Sequence, residues 1–144
     1  MCGLLGIWDP DETSRLYQVG RLLSALSHRG PDESWSSSWQ SLTIGCTRLA
    51  IVDVGRSLDA INPEGSEILV NLNGEIWNYR DLAETSPNVD GNSECEVIRS
   101  LYKQEDLKLS ARLDGVFAIC ILDKRAKSLS HKGNRRGSSD VEMG

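Results

Sequence analysis

The chain has 144 residues, of which 39% are hydrophobic and 26% are charged, and its formal net charge is -5. This length and composition suit one globular domain, and the negative charge gives no reason to expect a nucleic acid or an anionic membrane as partner. No apolar run approaches the roughly 20 residues of a membrane-spanning helix, and no basic segment before an apolar stretch marks a secretory signal. We therefore expect a cytoplasmic protein.

The first half of the chain predicts strands on either side of one amphipathic helix. Residues 3–8 are mostly apolar and suit a buried strand, and apolar residues at helical spacing predict a helix over residues 14–27. Residues 34–40 alternate serine with tryptophan, which favours a half-exposed strand. Residues 42–53 are rich in β-formers and predict a strand that runs into a functional loop.

A second set of strands is predicted from the middle of the chain. Residues 67–72 indicate a short strand, and the Asn73-Gly74 pair that follows predicts a sharp turn, because both residues tolerate a left-handed backbone. A helix is expected to begin directly after this turn, over residues 76–83.

The last part of the chain predicts a helix, a strand and a tail. Ser93, with Glu96 at the capping-box position, is expected to cap a clear helix. Residues 116–122 form a continuous apolar run, typical of a buried strand. Residues 129–144 are polar and charged and cannot bury enough apolar surface to offset the entropy of ordering, so we expect them to be disordered.

The four cysteines predict free thiols rather than cross-links or a metal site. Their spacing fits neither a zinc site nor a dense disulfide framework, and two of them lie in apolar, strand-like surroundings. We therefore expect no metal and a reducing compartment. The four residues are Cys2, Cys46, Cys95 and Cys120.

Cys2 is the residue with the most specific chemical potential. If Met1 is removed, Cys2 carries a thiol and a free α-amine, whose ordinary pKa of about 7.7–8.0 lets it take the thiol proton near neutral pH. Nucleophile and general base then come from one residue. On these residues alone, a buried N-terminal strand with an incidental thiol remains open.

Five local motifs occur in a specific order along the chain. They are residues 1–3 (MCG), 28–32 (HRGPD), 48–53 (RLAIVD), 73–78 (NGEIWN) and 113–118 (LDGVFA). In this order they resemble the class II glutamine amidotransferase domain, an N-terminal-nucleophile glutaminase, and most of all the glutaminase half of asparagine synthetase. The resemblance implies an α+β fold, an αββα sandwich of stacked antiparallel sheets, and a partial domain over residues 1–128.

The resemblance also implies catalytic roles. Cys2 would attack the side-chain amide of glutamine, and the Asn73 amide with the backbone N–H of Gly74 would stabilise the resulting oxyanion. His28, which invites interpretation as a base, is expected to be structural. Without the resemblance, Asn73-Gly74 is simply a hairpin turn.

Glutamine would be held by its amino-acid end. Arg48 offers a planar fork to the α-carboxylate, and the carbonyls of Leu49 and Ile51 would add acceptors. Glu75 and Glu94 would take the α-ammonium, although the family commonly has Asp where this chain has Glu94. Alone, Arg48 would more often be a solvated charge at a strand edge.

The functional expectation is a glutaminase that supplies ammonia for asparagine synthesis, and its activity as an enzyme is left open. Residues 129–144 depart from the family, which continues with further strands, so the sequence also predicts a C-terminally incomplete fold. Alternatives are a truncated inactive product, a glutamine-binding regulatory module, or another class II amidotransferase. No cofactor is expected here, since ATP and Mg²⁺ would belong to a synthetase domain. The expected partners are glutamine and either a synthetase chain or a second copy in a homodimer.

Overall fold

The computed structural model describes residues 2–9, 15–50, 58–86, 89 and 93–133. Six strands, four α-helices and one 3₁₀ turn occur in this part of the chain. The strands are β1 (Gly3–Trp8), β2 (Glu33–Trp39), β3 (Leu42–Arg48), β4 (Ile68–Ile76), β5 (Gly115–Asp123) and β6 (Ser128–Gly133). The helices are α1 (Arg15–Leu26), α2 (Leu58–Ile61), α3 (Tyr79–Glu84) and α4 (Glu94–Glu105), and a 3₁₀ turn follows at Asp106–Ala111.

The strands form two antiparallel sheets of three strands each, in the orders β1-β3-β2 and β4-β5-β6. The sheets stack face to face, because one buried cluster takes side chains from β3 of the first sheet and from all three strands of the second. Its members are Leu42, Ile44, Leu69, Cys120, Leu122 and Leu129.

Helices cover the two outer faces. Successive strand residues point to opposite faces, so Ile68 and Val70 pack away from the first sheet, against Val97 and Ile98 of α4. On the other side α1 contacts β1 and β3. The layers are therefore helix, sheet, sheet, helix, which confirms the α+β sandwich of stacked antiparallel sheets.

Most elements lie where the sequence predicts them, and three predictions were wrong. β4 does not end before Asn73 but continues to Ile76, so no sharp turn occurs there. The following helix consequently begins at Tyr79 instead of residue 76. Ser93 occupies the N-cap position of α4, but its side chain makes no capping hydrogen bond.

A further correction concerns the predicted disordered tail. Residues 129–133 belong to β6, which pairs with β5 from Ser128↔Asp123 to Gly133↔Ala118. Leu129 is buried in the cluster between the sheets, and this one apolar side chain together with strand pairing orders the segment. The rest of the predicted tail, residues 134–144, lies outside the described residues.

No helix in the described part is long and apolar enough to cross a membrane.

Candidate active site

Cys2 lies at the edge between the two sheets. It directly precedes β1, and its backbone N donates a hydrogen bond to Oδ1 of Asn73 in β4, at 3.1 Å. The two residues are 71 positions apart in sequence. Arg29 holds the same residue from another side, since its Nε donates to the Cys2 carbonyl at 3.4 Å. A strand of the second sheet and the turn after α1 thus fix Cys2 beside the Asn73 amide.

Asn73 and Gly74 keep their place in the ladder of β4, opposite Ala118 and Phe117 of β5. Gly74 has φ +128°, and a Cβ on it would lie 2.0 Å from the Val116 carbonyl oxygen. Only glycine fits this combination of left-handed backbone and close approach. The pair that predicts a turn therefore distorts a continuous strand locally, beside Cys2.

The hydrogen bond to Cys2 also orients the Asn73 amide. Since Oδ1 accepts from the Cys2 backbone, Nδ2 is left as a donor on the same amide. The backbone N–H of Gly74 follows directly in the chain. A side-chain donor and a backbone donor therefore occur at consecutive positions next to the residue that carries the thiol.

Cys2 is distinguished from the other cysteines by its exposure. All four cysteines are free, which confirms that prediction, and Cys2 is half-buried while the others are buried. Burial is the main cause that raises the thiol pKa of Cys95 and of Cys120 to about 12, and burial raises that of Cys46 as well. These three thiols stay protonated at neutral pH, so they are poor nucleophiles.

Arg48 ends β3 and is almost fully buried, with 8% of its surface exposed. It is not a solvated edge charge. Its Nη1 lies 3.6 Å from Oε2 of Glu33, the residue directly opposite it on β2. Nothing in the sequence marks Glu33 as a partner of Arg48, because only the register between β2 and β3 brings the two residues together.

The loop at residues 28–32 packs against the end of β3. A Cβ on Gly30 would lie 2.5 Å from the Arg48 backbone N, so glycine allows the two backbones to approach closely. Asp32 donates its backbone N–H to the Arg48 carbonyl at 3.0 Å and accepts from the Ala50 N–H at 2.8 Å. His28 contacts the Ala25 carbonyl at the end of α1, which agrees with a structural role. This loop fixes the backbone on both sides of Leu49.

The two predicted ammonium-binding carboxylates differ in environment. Glu75 is exposed. Glu94, in the first turn of α4, accepts a hydrogen bond from the Ile76 N–H at 2.6 Å. Burial raises the pKa of Glu94, the Ile76 bond opposes that rise, and the charge of Glu75 adds to it. Glu75 therefore lies close enough for its charge to affect the pKa of Glu94.

The predicted site residues come from three layers of the fold. The first sheet or its margin contains Cys2, Arg48 and Leu49. Strand β4 contains Asn73, Gly74 and Glu75, and helix α4 contains Glu94. Ile51 lies outside the described residues. Among the described residues, no group of three or more His, Cys, Asp or Glu side chains is arranged to hold a metal ion.

Comparison with known sequences adds the family context. The sequence model described as the glutamine amidotransferase domain matches residues 1–139. Asparagine synthetase (glutamine-hydrolyzing) 2 of Oryza sativa subsp. japonica is 33% identical over 148 residues, covering 100% of this chain and 25% of the relative. Asparagine synthetase (glutamine-hydrolyzing) 3 of Arabidopsis thaliana is 36% identical over 151 residues, covering 100% of this chain and 26% of the relative.

A third relative, from Sandersonia aurantiaca, has the same extent of similarity. This asparagine synthetase (glutamine-hydrolyzing) is 33% identical over 148 residues, which cover 100% of this chain and 28% of the relative. The chain therefore spans about a quarter of the length of these curated relatives, and it matches their N-terminal part.

Proposed function

Because the chain belongs to the glutamine amidotransferase domain family, we propose that it hydrolyses glutamine to glutamate and ammonia with Cys2 as the nucleophile. It is homologous to the N-terminal glutaminase region of asparagine synthetases. The observation that carries the proposal is the hydrogen bond from Cys2 N to Asn73 Oδ1. It joins the residue bearing the thiol to the amide proposed to stabilise the oxyanion.

The proposed reaction begins once Met1 is removed. The free α-amine of Cys2 takes the thiol proton, and the sulfur attacks the carbon of the glutamine side-chain amide. A tetrahedral oxyanion forms, and Asn73 Nδ2 and the Gly74 N–H donate to it. The C–N bond then breaks, and the ammonium of Cys2 returns its proton to the departing ammonia. Water hydrolyses the thioester to glutamate and regenerates the thiol.

The substrate's amino-acid end is proposed to lie between two sets of charges. Arg48 would bind the α-carboxylate, helped by the positions of Leu49 and Ile51. Glu75 and Glu94 would bind the α-ammonium. The raised pKa of Glu94 supports this, because a partly desolvated carboxylate beside another acid gains most from an added cation.

The destination of the ammonia is proposed from the relatives' names. Those relatives are glutamine-hydrolysing asparagine synthetases, so we propose that the ammonia serves asparagine synthesis on a synthetase partner. ATP and Mg²⁺ would act there, and no step on the residues of this chain uses them. The free thiols support a cytoplasmic setting.

The test is intact mass of the purified chain before and after treatment with a diazoketone analogue of glutamine. We expect loss of Met1 and one covalent adduct, which Cys2→Ala abolishes and the buried-thiol control Cys95→Ala keeps. Retained Met1 removes the general base and overturns the proposal. An adduct that survives Cys2→Ala overturns the assignment of the nucleophile.

A further inference from the structure

Glu33 is an acidic residue against the proposed carboxylate-binding arginine. It lies directly opposite Arg48 in the register of β2 and β3, and its Oε2 is 3.6 Å from Nη1. The side chains of Arg48 and Glu33 are 9% and 32% exposed. Because Arg48 is shielded and Glu33 is only partly exposed, this ion pair is screened less than a pair of fully exposed side chains.

Two separate elements hold the Glu33 carboxylate in place. While Oε2 faces Arg48, Oε1 accepts a hydrogen bond from the backbone N–H of Leu58 at 2.9 Å. Leu58 begins α2 and is itself buried, with 6% of its surface exposed. Glu33 is therefore a partly buried carboxylate that is anchored by a backbone hydrogen bond and an ion pair.

This arrangement has a consequence for any ligand that presents a carboxylate to Arg48. The separation of 3.6 Å between Nη1 and Oε2 is an ion-pair distance, longer than a hydrogen bond. An incoming carboxylate would meet a guanidinium whose charge is already partly neutralised, and it would also be repelled by Glu33. Both effects weaken the binding of an anion at this arginine.

We propose that Glu33 lowers the affinity for the substrate, because the α-carboxylate of the substrate must compete with the Glu33 carboxylate for Arg48. This inference rests on the proposed function. Glu33 does not touch the reacting atoms. It acts through Arg48, so its effect is confined to ligands that carry an α-carboxylate. A purely structural pair would influence stability without this dependence on ligand charge.

The experiment measures binding without chemistry, by calorimetry on the Cys2→Ala chain. Glu33→Gln keeps the acceptor for Leu58 and removes the charge, so we expect it to tighten glutamine binding about fivefold, the effect of about 1 kcal/mol. Glutaminamide, in which an amide replaces the α-carboxylate, should bind equally to both chains. The matched control is Glu105→Gln, which removes the acid of the Arg112–Glu105 pair elsewhere on the surface and should leave glutamine affinity unchanged.

Unchanged or weakened glutamine affinity in Glu33→Gln overturns the inference, and so does equal tightening of glutaminamide. If Glu33→Gln does not fold, Glu33→Asp is used instead. It keeps the charge on a side chain that is one methylene shorter, so the carboxylate lies further from Arg48, and we expect glutamine binding to tighten by less than fivefold. Failure of the proposed function is seen separately, as a missing diazoketone adduct on the chain with intact Cys2.

Discussion

Asn73→Asp separates the hydrogen bond that Asn73 accepts from Cys2 from the oxyanion-stabilising role proposed for the same amide. The substitution keeps an oxygen that accepts from the Cys2 backbone N, as Oδ1 does at 3.1 Å. It replaces the donor Nδ2 by a second acceptor. The start of the chain should therefore stay fixed to β4 while the proposed oxyanion loses a donor.

The expected loss is at least 10²–10³-fold in kcat, about 2.7–4 kcal/mol, the usual effect of removing one oxyanion donor. Repulsion between the new carboxylate and the oxyanion adds to this figure. KM for glutamine should change little, because the donor acts only in the transition state. The free energy of unfolding should also stay close to that of the unchanged chain.

The assay is steady-state glutamate release, with urea unfolding on the same preparations. Asn73→Ala is the comparison variant, since it removes donor and acceptor together and should cost both activity and the bond that fixes Cys2. Asn73→Asp with kcat within tenfold of the unchanged chain would refute the oxyanion role. An equal fall in stability for both variants would refute the orienting role of Oδ1.

Three further predictions follow from single contacts. Arg48→Ala should raise the glutamine KM strongly with a smaller effect on kcat, measured by the same kinetics; an unchanged KM contradicts the carboxylate role. Glu94→Gln should raise the thermal stability at neutral pH, but not at a pH below the ordinary pKa of a glutamate. Burial raises the pKa of Glu94 in the folded chain, so its stabilising contribution is complete at low pH and is lost as the pH rises through that raised pKa. Equal changes in stability at neutral and at low pH would count against this. Asn62→Leu should lower the free energy of unfolding, measured with urea, by about 3 kcal/mol, because the buried Asn62 side chain forms hydrogen bonds with both the N–H and the carbonyl of Val70. A loss below about 1 kcal/mol would show that water replaces these hydrogen bonds.

The sequence predicted best where periodicity and burial agree. The apolar run at residues 116–122 predicted β5 to within one residue at each end, and Ser93 correctly marked the residue before α4. The prediction was wrong at Asn73-Gly74, where local turn chemistry and tertiary pairing compete. Nine consecutive register pairs with β5 outweigh the preference of two residues for reversing the chain.

The tail was misjudged for a related reason. Composition averages a segment, and residues 128–133 contain a single strongly apolar side chain. Leu129 nevertheless fits against Cys120 and Leu122 between the sheets, and the β6–β5 ladder satisfies the backbone. Strand pairing of this kind depends on an available edge, here that of β5, and no local composition reveals it.

Glu33 was missed because only the register of β2 with β3 brings it to Arg48. The rest of the site is likewise assembled from contacts between elements, which explains how the site depends on the fold. Cys2 is fixed by β4, Arg48 faces an acid on β2, and Glu94 of α4 bonds the last residue of β4. Each of these contacts joins two elements, so its geometry follows their relative position. Loosening of the cluster between the sheets would shift Cys2 against Asn73 while leaving the Arg48–Glu33 pair intact, since both of its members lie in one sheet. Such damage should therefore reduce kcat and also weaken substrate binding, because Glu75 and Glu94 lie across that cluster from Arg48.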